Sequence, residues 1–121
     1  MSEPLFRSVS PILSVSNVDA AISFYESVLG FRLAWKWGTP PSVASVCRDE
    51  VELMLKLSPA AVPVGPAKVY VVVASVESHY AKIVAAGARV TYPLAVRDCR
   101  MKDCRIVDPD GNEISFGEPV G

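Results

Sequence analysis

The side chains that could carry out chemistry are few, and their spacing excludes several common catalytic sites. The chain has one histidine, His79, and three cysteines, at positions 47, 99 and 104. The cysteines lack the short paired spacing of a zinc or redox site, and we interpret them as free thiols of a reducing compartment. His79 falls within a predicted helix of the outer layer, and we interpret it as a surface or packing residue, so we expect no histidine-based acid or nucleophile system. The candidates that remain are charged residues on amphipathic strands, chiefly Glu52 and Lys68.

Composition indicates one globular domain without a strongly charged surface. The chain has 121 residues, of which 50% are apolar and 21% are charged, and its net charge is −1. This balance gives no electrostatic attraction to nucleic acid or to an anionic membrane, and we expect neither partner. The sequence has no run of about 18 apolar residues that could span a bilayer. Because Met1–Val9 also lacks the apolar core of a signal peptide, we predict a cytoplasmic protein.

The strands that carry the charged residues belong to a repeated pattern. Val15-Ser16-Asn17-Val18 opens a predicted helix that ends at Gly30, and Val73-Ala74-Ser75-Val76 opens another that ends at Gly87. Asn17 and Ser75 are favourable N-cap residues, and glycine suits the left-handed position after a helix. The repeat predicts a βαβββ module used twice, because one copy alone cannot cover both faces of its own sheet.

We expect an α+β fold in which the two modules form a curved, cleft-bearing mixed sheet with the helices on its outer face. The whole chain, 1–121, is one predicted domain, with module one at 8–57 and module two at 68–117. Residues 58–67 hold three prolines and one glycine, and these predict a connector. The predicted strands are 8–15, 31–37, 42–48 and 51–57 in module one, and 68–74, 89–92, 99–107 and 113–116 in module two.

The ordered motifs resemble those of one family. The motifs are Val15-Ser16-Asn17-Val18, Phe24-Tyr25, Leu29-Gly30-Phe31 and Asp108-Pro109-Asp110-Gly111-Asn112. They resemble the vicinal oxygen chelate superfamily of glyoxalase I, extradiol dioxygenases and bleomycin-resistance proteins. The resemblance covers about residues 8–117, and among its members the metal-free bleomycin-resistance proteins are the most similar.

The resemblance also implies where catalytic members would bind a metal ion. Those members usually place His or Glu at four positions, one on the first and one on the last strand of each module. Only Glu52 can ligate a divalent cation well, since a serine hydroxyl is a weak neutral ligand and a lysine ammonium has no free lone pair. We therefore predict no metal and no other cofactor. The alternative is a metal-dependent, glyoxalase-like lyase, isomerase or dioxygenase that uses Glu52. The four positions in this chain are Ser10, Glu52, Lys68 and Ser115.

Two hypotheses concern the walls of the cleft. Lys68 could replace the lost metal charge and pair with Glu52, or both side chains could lie at a solvated rim. Trp35 could form an aromatic wall, on a strand face that it is predicted to share with Leu33 and Trp37, although ordinary packing is the alternative. The full set of predicted ligand-binding residues is Ser10, Trp35, Glu52, Lys68, Tyr70, Asp103, Arg105 and Ser115.

The resemblance to bleomycin-resistance proteins implies partners as well as a fold. Those relatives are dimers with ligand clefts at the subunit interface, and their first strand can exchange between subunits at a proline that matches Pro11. We therefore expect a homodimer that binds or sequesters a small organic ligand. Bleomycin itself is a poor candidate, because 13 acidic and 12 basic residues give little attraction to a bulky cation. A third alternative is an interaction or structural dimer without a ligand.

Overall fold

A computed structural model describes residues 4–59 and 66–121 of the chain. It contains two βαβββ modules in succession, each with one helix of ten residues. The predicted α+β fold is confirmed. Of the predicted connector 58–67, residues 60–65 lie outside the described part of the chain. The elements are β1 Ile12–Val15, α1 Val18–Ser27, β2 Arg32–Gly38, β3 Pro41–Arg48, β4 Val51–Leu57, β5 Lys68–Val72, α2 Val76–Ala85, β6 Arg89–Val96, β7 Met101–Val107 and β8 Glu113–Pro119.

Module one is a four-stranded sheet in the order β1-β4-β3-β2, with α1 against one face. α1 begins where Asn17 Oδ1 accepts a hydrogen bond from the backbone N–H of Ala20 at 2.8 Å, as the predicted N-cap requires. The chain leaves the helix through Gly30, whose φ of +81° favours glycine. Buried apolar residues join helix and sheet, namely Leu13, Val15, Val18, Ala21, Ile22, Tyr25, Ala44, Val46, Leu53 and Leu55.

Module two repeats this arrangement in the order β5-β8-β7-β6, with α2 against one face. The predicted cap at Ser75 is only half correct: Ser75 occupies the N-cap position, but its side chain makes no capping hydrogen bond. The backbone N–H of Val76 donates instead to Glu118 Oε1 at 3.0 Å. A carboxylate suits this position because the N-terminus of a helix carries a partial positive charge.

The turn between β7 and β8, residues 108–112, fastens module two to module one. Tyr25 Oη on α1 donates a hydrogen bond to Asp108 Oδ2 at 2.8 Å. Asn112 Nδ2 donates to the carbonyl oxygen of Ser14 at 3.0 Å, and the N–H of Ser16 donates to Asp110 Oδ1 at 3.1 Å. Burial, followed by the charge of Asp108 and the hydrogen bond to it, raises the pKa of the Tyr25 hydroxyl well above its usual range. Polar contacts therefore hold the two modules together, and the hydrogen bond from Tyr25 to Asp108 is buried.

Strand lengths differ from the predicted ones where proline or strand pairing decides them. The sequence predicts a first strand over 8–15, whereas β1 begins at Ile12, and Val9 is 89% exposed. Pro11 has no N–H for a ladder, although its carbonyl oxygen accepts a hydrogen bond from the N–H of Met54 at 2.9 Å. β6 and β8 run past their predicted ends because both continue to pair with β7, as far as Val96 and Pro119.

Neither helix of the described residues is long and apolar enough to cross a membrane.

Candidate functional site

Each sheet has one face without a helix, and the predicted site residues lie on these two faces. The side of the module-one sheet opposite α1, here the first open face, carries Trp35, Ser45 and Glu52, with Ser10 just before β1. The side of the module-two sheet opposite α2 is the second open face. It carries Lys68, Tyr70, Tyr92, Asp103, Arg105, Glu113 and Ser115.

On the first open face, two hydroxyl groups hold the carboxylate of Glu52. Ser10 Oγ donates to Glu52 Oε1 at 2.5 Å, and Ser45 Oγ donates to Oε2 at 2.5 Å. The pKa of Glu52 is lowered, chiefly by the hydrogen bond from Ser10 and then by that from Ser45, while desolvation acts in the opposite direction. Glu52 is therefore held as a carboxylate whose two oxygen atoms both accept hydrogen bonds.

Trp35 reaches the first open face because β2 contains a bulge. Leu33 pairs with Val46 on the helix side of the sheet, and Trp35 pairs with Ser45 on the open side, with a register shift between them. The prediction that Leu33 and Trp35 share a strand face is therefore wrong, since an extra residue in a bulge breaks the two-residue alternation. Trp35 is 44% exposed and Trp37 70% exposed, so both indole rings are open to solvent in the single chain.

On the second open face, Asp103 joins two neighbouring side chains. Tyr70 Oη donates to Asp103 Oδ2 at 2.8 Å, and Arg97 Nε donates to Asp103 Oδ1 at 2.8 Å. Burial, the hydrogen bond to Asp103 and the charge of Asp103 raise the pKa of Tyr70 to about 12. The Tyr70 ring lies directly over Gly117, where an added Cβ would come within 2.1 Å of Tyr70 Oη. The glycine thus provides the space that the Tyr70–Asp103 hydrogen bond needs.

Arg105 is the centre of a second polar group on the same face. Its guanidinium contacts Glu113 Oε1 at 3.3 Å and Ser115 Oγ at 3.4 Å, and lies 4.4 Å from the centroid of the Tyr92 ring. The last contact is within the range of a cation–π interaction. Arg105 is therefore held in place by a carboxylate, a hydroxyl group and an aromatic ring.

Lys68 does not pair with Glu52 as predicted. Its Nζ lies 3.7 Å from Glu113 Oε2, and its side chain is 74% exposed. The reason is the strand register, which places Lys68 opposite Glu113 on the second open face, whereas Glu52 lies on the other sheet. The pair of Lys68 and Glu113 is weak at this exposure.

The structure thus divides the predicted set into two groups. Ser10, Trp35 and Glu52 come together on the first open face; the other five predicted residues come together on the second open face. Within residues 4–59 and 66–121, no hydrogen bond or ion pair joins the two groups. The members of the second group are Lys68, Tyr70, Asp103, Arg105 and Ser115.

Sequence reasoning missed four residues that shape these groups. The sequence offers a signal for Ser45, because it is a polar residue on the cleft-facing side of a predicted strand. Glu113 had no such signal, because its position beside Lys68 depends on the pairing of β5 with β8. Arg97 and the packing role of Tyr92 had none, because the predicted strand ended at Tyr92 and the chain beyond it was assigned no structure. The four are Ser45, Tyr92, Arg97 and Glu113.

The donor set of the open faces does not fit a divalent metal ion. Among the described residues, no three His, Cys, Asp or Glu side chains are grouped closely enough to hold one. Glu52 has serine neighbours, and Asp103 and Glu113 are each paired with an arginine. Divalent ions need several carboxylate, imidazole or thiolate ligands that are free to coordinate.

Residues 7–116 match the sequence profile of the Glyoxalase/Bleomycin resistance protein/Dioxygenase superfamily. The chain belongs to this superfamily. Two hundred chains of solved structure also match the structure of this chain. No curated protein sequence matches the chain significantly.

Three solved structures share the fold of this chain. TioX from Micromonospora sp. ML1 is 21% identical with a TM-score of 0.83, covering 95% of this chain and 100% of TioX. TnmS3, an antibiotic binding protein from Streptomyces sp. CB03234, is 21% identical with a TM-score of 0.81, covering 98% of this chain and 100% of TnmS3. A bleomycin-binding protein complexed with bleomycin is 17% identical with a TM-score of 0.80, covering 95% of this chain and 100% of that protein. At these identities, the likeness establishes the fold.

Proposed function

We propose that this protein binds a small organic molecule without a metal ion, in the manner of the antibiotic-binding members of its superfamily. The observation that carries the proposal is the state of Glu52, whose two carboxylate oxygens accept hydrogen bonds of 2.5 Å from Ser10 and Ser45. A carboxylate held in this way is an acceptor and a fixed negative charge. Metal coordination would have to displace both hydroxyl groups, with no second strong ligand to compensate.

The proposed assembly is a homodimer with its clefts at the interface. The two open faces of one chain are not joined by any polar contact in the described residues, so each face is available to a second copy. Both faces also expose apolar side chains, among them Ile12, Trp35 and Trp37 on the first and Tyr70 and Val72 on the second. Exposed apolar area of this kind is typical of interaction surfaces. In the dimer, the first open face of one protomer would lie across from the second open face of its partner.

Exchange of the first strand at Pro11 is a further part of this proposal. In the single chain, β1 pairs with β4 of the same chain. Residues 4–11 belong to no strand, and Leu5, Phe6 and Val9 are exposed apolar side chains that a partner could cover. We also propose a cytoplasmic location, which is supported by the three cysteines, all free, at positions 47, 99 and 104.

The ligand chemistry follows from the two faces. Trp35 supplies a flat apolar surface, and Arg105 and Tyr92 supply a cation stacked on a ring. Asp103 is paired with Arg97 and Glu113 with Arg105, so the carboxylates of the second open face are compensated, whereas Glu52 leaves a single negative charge on the first. We propose a planar aromatic ligand of low net charge. The bleomycin complex of a structural relative shows that the fold can hold an antibiotic.

The decisive experiment measures assembly, metal content and ligand binding on the same purified protein. Light scattering is expected to give twice the 13.0 kDa of one chain. Neutral, sulfonated and amino-substituted anthraquinones then serve as planar probes of different charge, read by tryptophan fluorescence and melting temperature. We expect saturable binding of the neutral probe, a loss of about tenfold or more in Trp35→Ala, and no loss in the control Tyr80→Phe.

Two results would contradict this function. Stoichiometric Zn, Ni, Mn or Fe in the purified protein, lost in Glu52→Gln, would support the metal-dependent alternative. No binding of any probe by a dimeric protein would support a structural dimer.

A further inference from the structure

The strand register arranges the second open face in rows of side chains that cross all four strands. Residues in one row lie side by side on neighbouring strands, which are about 4.8 Å apart, so a row extends over roughly 14 Å. Such a row is long enough to lie along a polycyclic aromatic molecule. The first row is Lys68, Glu113, Val107 and Arg89, and the second row is Tyr70, Ser115, Arg105 and Tyr92.

These two rows carry more positive than negative charge. Of the two carboxylates that the strands place on this side of the sheet, Asp103 is paired at 2.8 Å with Arg97, which follows β6. Only Glu113 is then left to face the cations of the rows. There are three of these cations, so the rows attract a further anion. They are Lys68, Arg89 and Arg105.

Glu113 does not neutralise the three cations. Its Oε1 lies 3.3 Å from Arg105 Nη1 and its Oε2 lies 3.7 Å from Lys68 Nζ, so one carboxylate is shared between two cations. The Lys68 side chain is 74% exposed, and pairing at this exposure is weak. Arg89 is exposed and makes no hydrogen bond or ion pair with the described residues, 4–59 and 66–121.

Arg105 is the cation whose orientation suits the binding of an anion. Its Nε donates to Ser115 Oγ at 3.4 Å, and its guanidinium lies 4.4 Å from the centroid of the Tyr92 ring. These contacts and the one to Glu113 use Nε and Nη1, so Nη2 keeps its two N–H donors for another acceptor. A planar guanidinium that is already oriented loses little side-chain entropy when it binds a carboxylate.

We propose that the planar ligand of the proposed function is an aromatic acid, and that Arg105 binds its acidic group. This inference rests on the proposed function. The ring system would extend over the exposed ring of Tyr70, and Lys68 and Arg89 would attract the anion through solvent. The negative charge of Glu52, on the first open face, favours the same orientation, with the acidic group on the second open face.

Three anthraquinones of similar size test this inference, because their substituents at one ring position differ in charge. They carry a carboxylate, an uncharged hydroxymethyl group or a cationic aminomethyl group, and tryptophan fluorescence gives each Kd. We expect the carboxylate to bind about tenfold more tightly than the alcohol at low ionic strength, and the amine no more tightly than the alcohol. This advantage of the carboxylate over the alcohol should decrease at about 0.5 M salt, which screens exposed charges.

Arg105→Gln separates recognition of the charge from folding of the site. We expect it to remove most of the advantage of the carboxylate and to leave the affinity for the alcohol within about twofold of the parent protein. Arg89→Gln, at an exposed residue without polar contacts, should reduce the advantage about threefold. Lys36→Gln is the control, since it removes an equal charge that is paired with Asp19 on α1, and it should not change the advantage.

The possible failures of the inference and of the proposed function differ. Equal affinity of the parent protein for the carboxylate and the alcohol would overturn the inference alone, and so would equal loss of the advantage in Arg105→Gln and Lys36→Gln. If Arg105→Gln does not fold, an unchanged advantage in Arg89→Gln decides against the inference. If none of the three anthraquinones binds, the proposed function fails and this inference fails with it.

Discussion

The carboxylate of Glu52 illustrates how two neutral side chains can fix a charge. Ser10 precedes β1 and Ser45 lies on β3, yet both donate to Glu52 at 2.5 Å. Each hydrogen bond favours the ionised form, so the folded protein binds a proton at this position less readily than the unfolded chain does. The residue that the sequence offers as a metal ligand therefore acts as a charged acceptor on a polar strand face.

Removal of either hydroxyl should raise the pKa of Glu52. Because Ser10 makes the larger contribution, Ser10→Ala is expected to raise it at least as much as Ser45→Ala. Glu52 has a lowered pKa when folded, so its contribution to stability is present above the unfolded value of about 4.3 and is lost as the pH falls through the folded value. Ser10→Ala should therefore lose less stability than the parent protein on acidification from about pH 5 to about pH 3.

Carbon-13 NMR of the Glu52 carboxyl group gives the pKa, and urea unfolding at the two pH values gives the stability. Ser8→Ala is the control, since Ser8 is exposed and lies outside the strands. An unchanged Glu52 pKa in both Ser10→Ala and Ser45→Ala would contradict the assignment.

At the scale of elements, close approach between strands decides which side chains can meet. Gly117 on β8 lies beneath the Tyr70 ring of β5, and any Cβ there would also come within 2.9 Å of Asp103 Cβ on β7. The polar group of the second open face therefore depends on the absence of one methyl group. Glycine inside a strand often marks such a close approach.

Gly117→Ala should displace Tyr70 and break its hydrogen bond to Asp103. We expect the pKa of Tyr70 to fall from about 12 toward 10.0, since both the burial and the hydrogen bond that raise it are lost. The overpacked side chains should cost about 1 kcal/mol of unfolding free energy, as the exposed Tyr70 ring can move. Tyrosine carbon-13 NMR measures the first effect and urea unfolding the second. In the double variant with Tyr70→Phe, part of the lost stability should return; an additive loss would argue against the steric cause.

How far the sequence predicts the elements depends on which interactions define them. Asn17, Gly30 and the apolar stripe of α1 act locally, so the helix could be predicted. The bulge in β2 could not, because it arises from pairing with β3 and shifts Trp35 relative to Leu33. The partner of Lys68 was also inaccessible, since it depends on which strand lies beside β5. Likewise, strand alternation identified side chains on open faces but could not show that the two sheets present them in separate groups.

At the scale of the whole molecule, the turn of residues 108–112 is the principal polar link between modules. Asp108 accepts hydrogen bonds from Tyr25 Oη, from Asn112 Nδ2 and from the backbone N–H groups of Asp110 and Asn112. Buried networks of this kind are rigid when all members are satisfied. The orientation of the two open faces therefore depends on a contact that is remote from both.

Tyr25→Phe should weaken this link without unfolding either module. The loss of one buried hydrogen bond is expected to cost about 1–2 kcal/mol of unfolding free energy, because Asp108 keeps its other donors. Tyr80→Phe, on the equivalent helix of module two, is the matched control. Urea unfolding followed by tryptophan fluorescence reports module one, and the NMR signals of Tyr70 and Tyr92 report module two. Equal destabilisation by the two variants would show that the hydroxyl of Tyr25 has no special part in joining the modules.

The turn that fastens the modules also shows how the two halves of a duplication have ceased to be equivalent. Five residues, 108–112, connect β7 to β8 and reach α1 of the other half, whereas only Asp49 and Glu50 connect β3 to β4. The shorter connection lines the space in front of α2 and leaves about 500 Å³ between the halves there. The longer turn thus bridges the two modules, whereas the shorter turn borders an open space. The same position of the repeat therefore carries a link between the modules in one copy and the edge of a solvent-filled groove in the other.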